Sequence, residues 1–203
     1  MRLIGMLDSP YVRRVAISMK LMGIEFTGEQ ISLFRNFDEF RAINPVVKAP
    51  TLVTGDGVVL MDSTLILEYL ERLAGPARSL MPAGASEHVE ALRVIGLQLA
   101  AYEKSVQIFY EHNLRPPEKR HQPWLDRVQG QLLAAYGELE KAMARQSGWF
   151  GGDRVMQPDV TVAVGWRFMR HAVPTIVTAD AFPKLAAHSA RAEVLPAFVE
   201  TGF

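Results

Sequence analysis

The sequence contains no cysteine. This absence excludes disulfide bonds, thiolate metal sites and a catalytic thiol supplied by the protein itself. The chain also lacks an uninterrupted apolar stretch long enough to span a bilayer. Its first residues, Met1 to Gly5, run straight into a predicted strand and show no signal-peptide pattern. These features lead us to expect a soluble, cytoplasmic protein.

The sequence also has no excess of positive or negative charge. The 22 lysines and arginines are balanced by 22 aspartates and glutamates, so the formal net charge is zero. Nothing in this balance favours nucleic acid or an anionic membrane as a partner. The five histidines are scattered without metal-ligand spacing, and no glycine-rich phosphate loop is present. We therefore expect no metal, no nucleic acid and no membrane partner.

What the sequence does contain is a predicted β-hairpin. Thr51 to Thr54 and Val58 to Met61 are β-prone runs, and Gly55-Asp56-Gly57 separates them. Asp-Gly favours a tight turn because such turns need positive φ angles. Pro50 stands at the start of the first strand, one of the few strand positions that proline tolerates. We expect a cis bond after Ala49, which would turn the chain and present the Ala49 backbone to a bound peptide.

The hairpin leads into a predicted helix over residues 63–73. Ser63 is expected to be its N-cap, and the first turn offers free N–H groups and the positive end of the helix dipole. Asp62 supplies a carboxylate for an amine. Lys48, before the hairpin, is either a ligand for a carboxylate or a solvent-exposed loop lysine. Together with the Ala49 backbone, these groups are the ones needed to hold a small zwitterionic peptide.

The elements before the hairpin complete a β-α-β-α-β-β-α order. Arg2 to Met6 is a predicted strand, and Ser9-Pro10 opens a helix that Gly23 ends. A second strand is expected within Ile24 to Ser32, and a weaker helical stretch follows over Phe34 to Ile43. This order predicts an α/β thioredoxin-like domain.

The second part of the chain is predicted to be all-helical. We expect domain boundaries of 1–75 for the thioredoxin-like domain, 76–85 for a linker rich in Gly, Pro and Ala, and 86–203 for the helical domain. The predicted helices begin near Ser86 and Pro123, span Val155 to Ala172, and include two short ones that meet near Leu195-Pro196.

Two motifs resemble the glutathione S-transferase family. Residues 44–52 read Asn-Pro-x-x-x-x-Pro-x-Leu and are followed by Asp62-Ser63, as in the thioredoxin-like domain of that family. Residues 149–153 resemble the segment that enters the family's sixth helix. Two positions depart from the pattern. Met156 stands where the family has a Ser or Thr cap opposite Asp159, so we expect half of the capping box to be missing, and Val47 stands where many members carry Gly.

The resemblance implies glutathione as co-substrate, an electrophilic small molecule as acceptor, a homodimer and a role in detoxification. It also implies roles for individual residues. The expected glutathione-binding residues are Lys48, Ala49, Pro50, Asp62 and Ser63. The expected acceptor pocket, supplied mainly by the helical domain, is lined by Tyr11, Tyr102, Phe109, Tyr110 and Trp166. Aromatic residues at helical spacing more often belong to a core, and that alternative stays open for the helical ones.

Ser9 is the expected catalytic residue because it resembles the Ser-Pro start of the first helix in serine-type members. A hydroxyl that donates a hydrogen bond to sulfur at a helix N-terminus favours the thiolate, which is the nucleophile. Ser9 could equally be a plain N-cap. The hairpin and Asp62-Ser63 favour the functional role. Arg13 and Arg14, near the start of the same helix, could add positive charge there, but we expect them to form a solvated face.

The sequence thus predicts a serine-type glutathione transferase. The alternative is a non-catalytic, glutathione-transferase-like binding or regulatory protein. The absence of cysteine argues against the cysteine-type branches. The maleylacetoacetate isomerase branch carries a Ser-Ser-Cys run at the first helix, whereas this chain has Asp8-Ser9-Pro10-Tyr11, which argues against isomerase activity.

Overall fold

Four short strands form one mixed sheet in the first part of the chain. In the computed structural model, which describes residues 1–203, they are β1 (Arg2–Ile4), β2 (Thr27–Glu29), β3 (Thr51–Val53) and β4 (Val59–Met61). Their order in the sheet is β2-β1-β3-β4. Strand β1 is parallel to β2 and antiparallel to β3, which is antiparallel to β4. The parallel pair is joined through α1 (Pro10–Leu21), and the predicted thioredoxin-like arrangement is confirmed.

The strand register brings three chain segments to one edge of the sheet. Ile4 pairs with Thr51, and Thr51 pairs with Met61. Gly5 therefore leaves β1 at the same edge where Pro50 enters β3 and where the chain leaves β4. Neighbouring strands lie about 4.8 Å apart, so the three segments start within roughly 10 Å of one another.

Two further helices complete this part: α2 (Phe37–Ile43) and α3 (Ser63–Ala74). Its core is formed by apolar residues at helical spacing on α1 and α3 together with the inward face of the sheet. Fully buried members include Val15, Met19, Leu52, Ile66 and Leu70. The register of the sheet and the start of α3 are thus fixed by the burial of one continuous apolar cluster.

The second unit, Pro82–Glu193, is built mainly from helices, with isolated β-bridges within residues 149–154. It contains α4 (Ala85–Asn113), a short 3₁₀ turn (Pro117–Lys119), α5 (Gln122–Ala144), α6 (Gln157–Ala172) and α7 (Pro183–Glu193). Its core joins buried residues of α4, α5, α6 and α7, with Leu132, Tyr136 and Leu139 of α5 completely inaccessible. No helix in the structure combines the length and the apolar character needed to cross a membrane.

The last ten residues pack with the first unit. Val194–Phe203, which include α8 (Pro196–Val199), group with Met1–Met81, whereas the expected boundaries assigned all of 86–203 to the helical domain. The contact is made by Arg13, whose Nε donates to the Thr201 carbonyl at 3.0 Å and whose Nη2 donates to the Phe198 carbonyl at 3.2 Å. Carbonyls at a helix end lack intrahelical partners, so they are suitable acceptors for a buried cation.

Candidate functional site

The loop between β1 and α1 lies against the loop that precedes β3. Gly5 has a φ of +137°, and a Cβ at this position would lie 3.1 Å from the Ala49 Cβ and 2.7 Å from Val12 Cγ2. A side chain would therefore strain the backbone and collide with both neighbours. Glycine at position 5 allows the two loops to meet at the sheet edge.

The expected cis peptide bond between Ala49 and Pro50 is confirmed. Pro50 is buried, and Ala49 is half-buried. The ladder between β1 and β3 begins only at Thr51, and neither the N–H nor the carbonyl of Ala49 bonds to another backbone group. Because unpaired backbone groups seek partners, this residue can accept an added extended peptide.

A buried asparagine holds the loop that carries Lys48. The Asn44 side chain accepts from the Val46 N–H at 3.0 Å and donates to Thr51 Oγ1 at 2.8 Å. Thr51 Oγ1 in turn donates to the Lys48 carbonyl at 2.8 Å. Val47, inside this loop, has a φ of +52°, which is unfavourable for a β-branched residue. This network was not predicted; its only sequence signal was the Asn that opens the 44–52 motif.

The start of α3 is capped by Asp62, so the prediction of Ser63 as N-cap is wrong. Asp62 Oδ1 accepts from the Thr64 N–H at 2.9 Å, and the Asp62 backbone has a φ of +72°. A carboxylate is an effective cap because it also matches the positive end of the helix dipole. The other oxygen, Oδ2, lies 3.7 Å from Nζ of Lys48. Ser63 is the first residue of the helix.

Ser63 is buried and contacts Arg14, which the sequence placed on a solvated face. Nη1 of Arg14 donates to Ser63 Oγ at 3.4 Å. Arg14 is 1% exposed and Arg13 is fully buried, so the expectation of a solvated arginine face is wrong. Their neighbours in the sequence do not reveal this, because the groups that surround them come from distant parts of the chain, α3 and the C-terminal segment.

Ser9 is the N-cap residue of α1 and has an extended backbone. Its N–H donates to the Met6 carbonyl at 3.1 Å, but its hydroxyl makes no capping hydrogen bond to the helix. Pro10, at the first helical position, already removes one N–H that would need a partner. Ser9 is half-buried, and its hydroxyl is not used for capping at the end of the loop whose Gly5 packs against Ala49. Tyr11 is half-buried in the first turn of the same helix.

Two of the expected pocket aromatics belong to the core of the helical unit instead. Tyr102 is fully buried, and its hydroxyl donates to the Thr161 carbonyl. Trp166 is 7% exposed and packs against Tyr136 with ring centroids 6.2 Å apart. For Tyr102 and Trp166, helical periodicity therefore indicated packing, which is its more common meaning.

Phe109 and Tyr110 lie nearer the surface of the helical unit. Their ring centroids are 6.2 Å apart. Tyr110 is 38% exposed and lines an open cavity of about 640 Å³. The other lining residues are Gln107, Glu111, Leu114, Arg115, Pro116, Lys119 and Trp124. Trp124 was not predicted as a pocket residue, although an exposed tryptophan at a helix start is an uncommon feature.

The start of α6 is capped from both sides, so the expectation of a half-missing capping box is wrong. The Met156 side chain accepts from the Asp159 N–H, and Asp159 Oδ2 accepts from the Met156 N–H at 2.8 Å. The thioether sulfur, a weak acceptor, takes the place of the usual hydroxyl. Asp159 also accepts from the Phe150 N–H at 3.0 Å. This ties the segment of residues 149–153 to the helix.

Asp159 lies beside a buried histidine. Asp159 Oδ1 is 3.7 Å from Nε2 of His188, which also contacts the Asp159 carbonyl at 3.2 Å. Burial raises the pKa of Asp159 to about 7, against the backbone N–H groups and Arg191, which lower it. Burial likewise lowers the pKa of His188 to about 4. At intermediate pH the structure therefore favours a neutral acid beside a neutral imidazole.

Comparison with known proteins decides the family. Residues 3–78 match the model of the glutathione S-transferase N-terminal domain, and residues 122–191 match that of the C-terminal domain. The chain belongs to the glutathione S-transferase family. A relative within the family is the maleylacetoacetate isomerase of Pseudomonas aeruginosa, 27% identical over 199 residues that cover 91% of this chain and 87% of the relative. The zeta-class glutathione S-transferase of Euphorbia esula is 29% identical over 155 residues, covering 72% and 66%.

Solved structures of family members share the whole fold. A glutathione S-transferase of Methylobacterium radiotolerans in complex with glutathione sulfonate superposes with a TM-score of 0.90, at 26% identity, over 98% of this chain and 93% of the other. A family member from Pseudomonas fluorescens with bound S-(propanoic acid)-glutathione has a TM-score of 0.81, at 27% identity, covering 99% and 98%.

Proposed function

We propose that this chain is a glutathione transferase that adds the glutathione thiolate to an electrophilic small molecule. The observation that carries the proposal is the Ser9 hydroxyl. It makes no capping bond, and it stands at a helix start at the end of the loop whose Gly5 packs against Ala49, a residue with unpaired backbone groups. In this role Ser9 donates its proton in a hydrogen bond to the sulfur of bound glutathione and favours the thiolate.

The other residues of the sheet edge hold glutathione in place. The Ala49 backbone pairs with the cysteinyl part, which extends the sheet by one strand. Ser63 and the N–H groups of the first turn of α3 bind the γ-glutamyl carboxylate, and Asp62 binds the γ-glutamyl amino group. Lys48, now 3.7 Å from Asp62, binds the glycine carboxylate. The complexes of the family members from M. radiotolerans and P. fluorescens with glutathione derivatives support glutathione as the ligand.

The reaction then needs few further groups. The thiol of bound glutathione loses its proton to solvent, and the thiolate attacks the electrophilic carbon. A C–S bond forms as the leaving group departs, or as the electron pair of an activated double bond moves onto the acceptor. The protein lowers the thiol pKa and positions the two reactants. Tyr11 and the α4 residues Phe109 and Tyr110 are the candidates for acceptor contacts.

Isomerase activity is the second candidate because a relative carries that name. The maleylacetoacetate isomerase of P. aeruginosa aligns with most of this chain. Two features argue against isomerase activity. The chain has Asp8-Ser9-Pro10-Tyr11 in place of the Ser-Ser-Cys run of that branch, and it contains no cysteine. A non-catalytic, glutathione-binding protein is the third candidate, since a fold alone does not fix an activity.

One set of assays separates the three. The purified protein is applied to immobilised glutathione and then assayed with a chlorinated aromatic acceptor and with maleylacetoacetate. We expect retention and turnover of the chlorinated acceptor. Turnover of maleylacetoacetate alone would assign the isomerase reaction, and retention without turnover of any of a panel of electrophiles would favour a binding protein. Failure to bind glutathione would contradict the proposal itself.

We further propose a cytoplasmic homodimer that acts in detoxification. Exposed apolar residues on two helices support self-association: Leu65 and Leu73 on α3, and Val89 and Leu92 on α4. Such side chains are commonly covered by a partner when they form a patch. The expected division into a glutathione-binding domain (1–75), a linker (76–85) and an acceptor-binding domain (86–203) remains part of this proposal.

A further inference from the structure

We infer that Arg14 is a positioning residue for the glutathione carboxylate. It directs the proton of Ser63 toward the ligand and places a fixed positive charge beneath the start of α3. The inference rests on the proposed function, because the ligand in question is the γ-glutamyl carboxylate of glutathione. It adds a role for a residue that makes no proposed contact with glutathione.

The hydrogen bond between Arg14 and Ser63 restricts where the Ser63 hydroxyl can donate its proton. An arginine side chain only donates, whereas a serine hydroxyl has one proton and two acceptor lone pairs. Because Nη1 of Arg14 donates to Ser63 Oγ at 3.4 Å, one of the lone pairs is used and the hydroxyl proton is left to point elsewhere. The N–H groups of the first helical turn also only donate. A carboxylate bound at the helix start can accept the Ser63 proton.

The burial of Arg14 makes its charge effective. Its residue is 1% exposed, and Ser63 is 3% exposed, so solvent screens the pair poorly. A guanidinium stays charged at every relevant pH. The same end of α3 carries the positive end of the helix dipole. Arg14 and the helix dipole thus both attract an anion bound at the first turn of α3. The exposed Lys48 instead lies 3.7 Å from Oδ2 of the capping residue Asp62.

The preceding residue provides a matched comparison. Arg13 is also completely buried, but its guanidinium donates to the carbonyls of Phe198 and Thr201 and lies over the rings of Phe198 and Phe203. It therefore anchors the C-terminal segment. Loss of Arg13 is expected to lower stability, whereas loss of Arg14 is expected to alter recognition of one carboxylate.

The experiment measures the binding of two peptides by calorimetry. One is glutathione, and the other is γ-aminobutyryl-cysteinyl-glycine, which lacks only the γ-glutamyl carboxylate and keeps the amino group. The proteins are wild type, Arg14→Met, Arg14→Lys, Ser63→Ala, the Arg14→Met/Ser63→Ala double variant and Arg13→Met. Circular dichroism and thermal unfolding verify that each variant is folded.

We expect Arg14→Met and Ser63→Ala each to weaken glutathione binding by roughly 10- to 100-fold, the range for a hydrogen bond to a charged group. The double variant is expected to be little weaker than the poorer single variant, because the two residues act as a unit. Arg14→Lys, which keeps the charge, should recover part of the loss. Binding of the shortened peptide should be nearly unaffected in all folded variants, and Arg13→Met should lower the Tm without changing the preference between the peptides.

Two results would overturn the inference while leaving the proposed function intact: unchanged glutathione affinity in Arg14→Met, or losses that multiply in the double variant. Equal loss of affinity for both peptides would also overturn it, because Arg14 would then act on the fold alone. If Arg14→Met does not fold, Arg14→Lys decides the matter. The inference predicts that Arg14→Lys prefers glutathione over the shortened peptide less strongly than the wild type does, and an equal preference would overturn it. Failure of the wild type to bind glutathione would instead reject the proposed function, and this inference with it.

Discussion

Gly5 packs closely against Ala49, so a side chain at position 5 would press on the loop that precedes β3 as well as on Val12. A Cβ on Gly5 would lie 3.1 Å from the Ala49 Cβ. This contact joins the loop that carries Ser9 to the loop that carries the cis bond. The geometry of the candidate site therefore depends on a residue with no functional group.

Gly5→Ala should destabilise the protein by about 2–5 kcal/mol. The estimate combines a left-handed backbone penalty of roughly 1–2 kcal/mol with an overpacking cost of about 1–3 kcal/mol. Gly57→Ala is the matched control, because Gly57 has a φ of +85° but nothing within 4 Å of the added Cβ. Gly57→Ala should therefore lose only the roughly 1–2 kcal/mol of stability that comes from the positive φ. Urea unfolding measures both, and equal losses would show that the contacts with Val12 and Ala49 are not tight.

Val47→Gly should stabilise the protein by roughly 0.5–1 kcal/mol. Val47 has a φ of +52°, which costs a side chain about 1–2 kcal/mol, and the greater flexibility of unfolded glycine offsets part of the gain by about 0.5–1 kcal/mol. Val46→Gly, at the exposed neighbouring position without a positive φ, should instead lower stability. A shift of both urea midpoints in the same direction would contradict this account of the loop.

Asp159 and His188 should oppose each other in the pH dependence of stability. The pKa of Asp159 is raised to about 7 in the folded protein. Its contribution to the free energy of unfolding is therefore present at low pH and is lost as the pH rises from about 4 to 7. The pKa of His188 is lowered to about 4, so its contribution is present above about 6.5 and is lost as pH falls toward 4. Between about pH 4 and 6.5 the folded and the unfolded protein each hold one proton on the pair of Asp159 and His188. We therefore expect the free energy of unfolding to depend little on pH in this range.

Single substitutions should expose each contribution. Asp159→Asn should make the free energy of unfolding fall as the pH is lowered from 7 to 4, and His188→Gln should make it fall as the pH is raised over the same range. Each change should be on the order of 3 kcal/mol across that range, since one pKa unit corresponds to about 1.4 kcal/mol. Denaturant unfolding at several pH values tests this. Parallel curves for the two variants would refute the assignment.

Leu65→Glu and Leu92→Glu should each dissociate the proposed homodimer. Both leucines are more than half exposed on the helices where we expect the partner to bind, and burying an unpaired carboxylate there is costly. Val194→Glu, at an exposed residue outside α3 and α4, should leave the dimer intact. Light scattering at micromolar concentration gives the mass. A monomeric wild type would contradict the proposal.

Much of the architecture followed from short-range signals in the sequence. Ser9-Pro10 marked the start of α1, and the Asp-Gly turn marked the hairpin within one residue at either strand. Pro50 indicated both the strand start and the cis bond. In each case the deciding physics is local, because proline fixes its own φ and tolerates a cis bond, whereas glycine allows positive φ angles.

The parts that could not be predicted depend on distant partners. Arg13 and Arg14 looked like a solvated face, yet one is buried by the C-terminal segment and the other by the start of α3. Met156 has no hydroxyl, but its side chain accepts the hydrogen bond from the Asp159 N–H that a Ser or Thr cap would accept. Tyr102 and Trp166 had the spacing of either a pocket or a core, and only the packing of neighbouring helices decided between them.

The central claim is that the Ser9 hydroxyl stabilises the thiolate, and thiolate absorbance of the glutathione complex tests it most directly. The absorbance is titrated against pH in wild type and in Ser9→Ala. We predict that the substitution raises the apparent pKa of the bound thiol by about 1–2 units, since a hydrogen bond to a charged group contributes about 1.5–3 kcal/mol. Affinity for an unreactive S-alkyl glutathione should stay nearly unchanged. Two superimposable titration curves would contradict the claim and would leave Ser9 as a residue of the helix start alone.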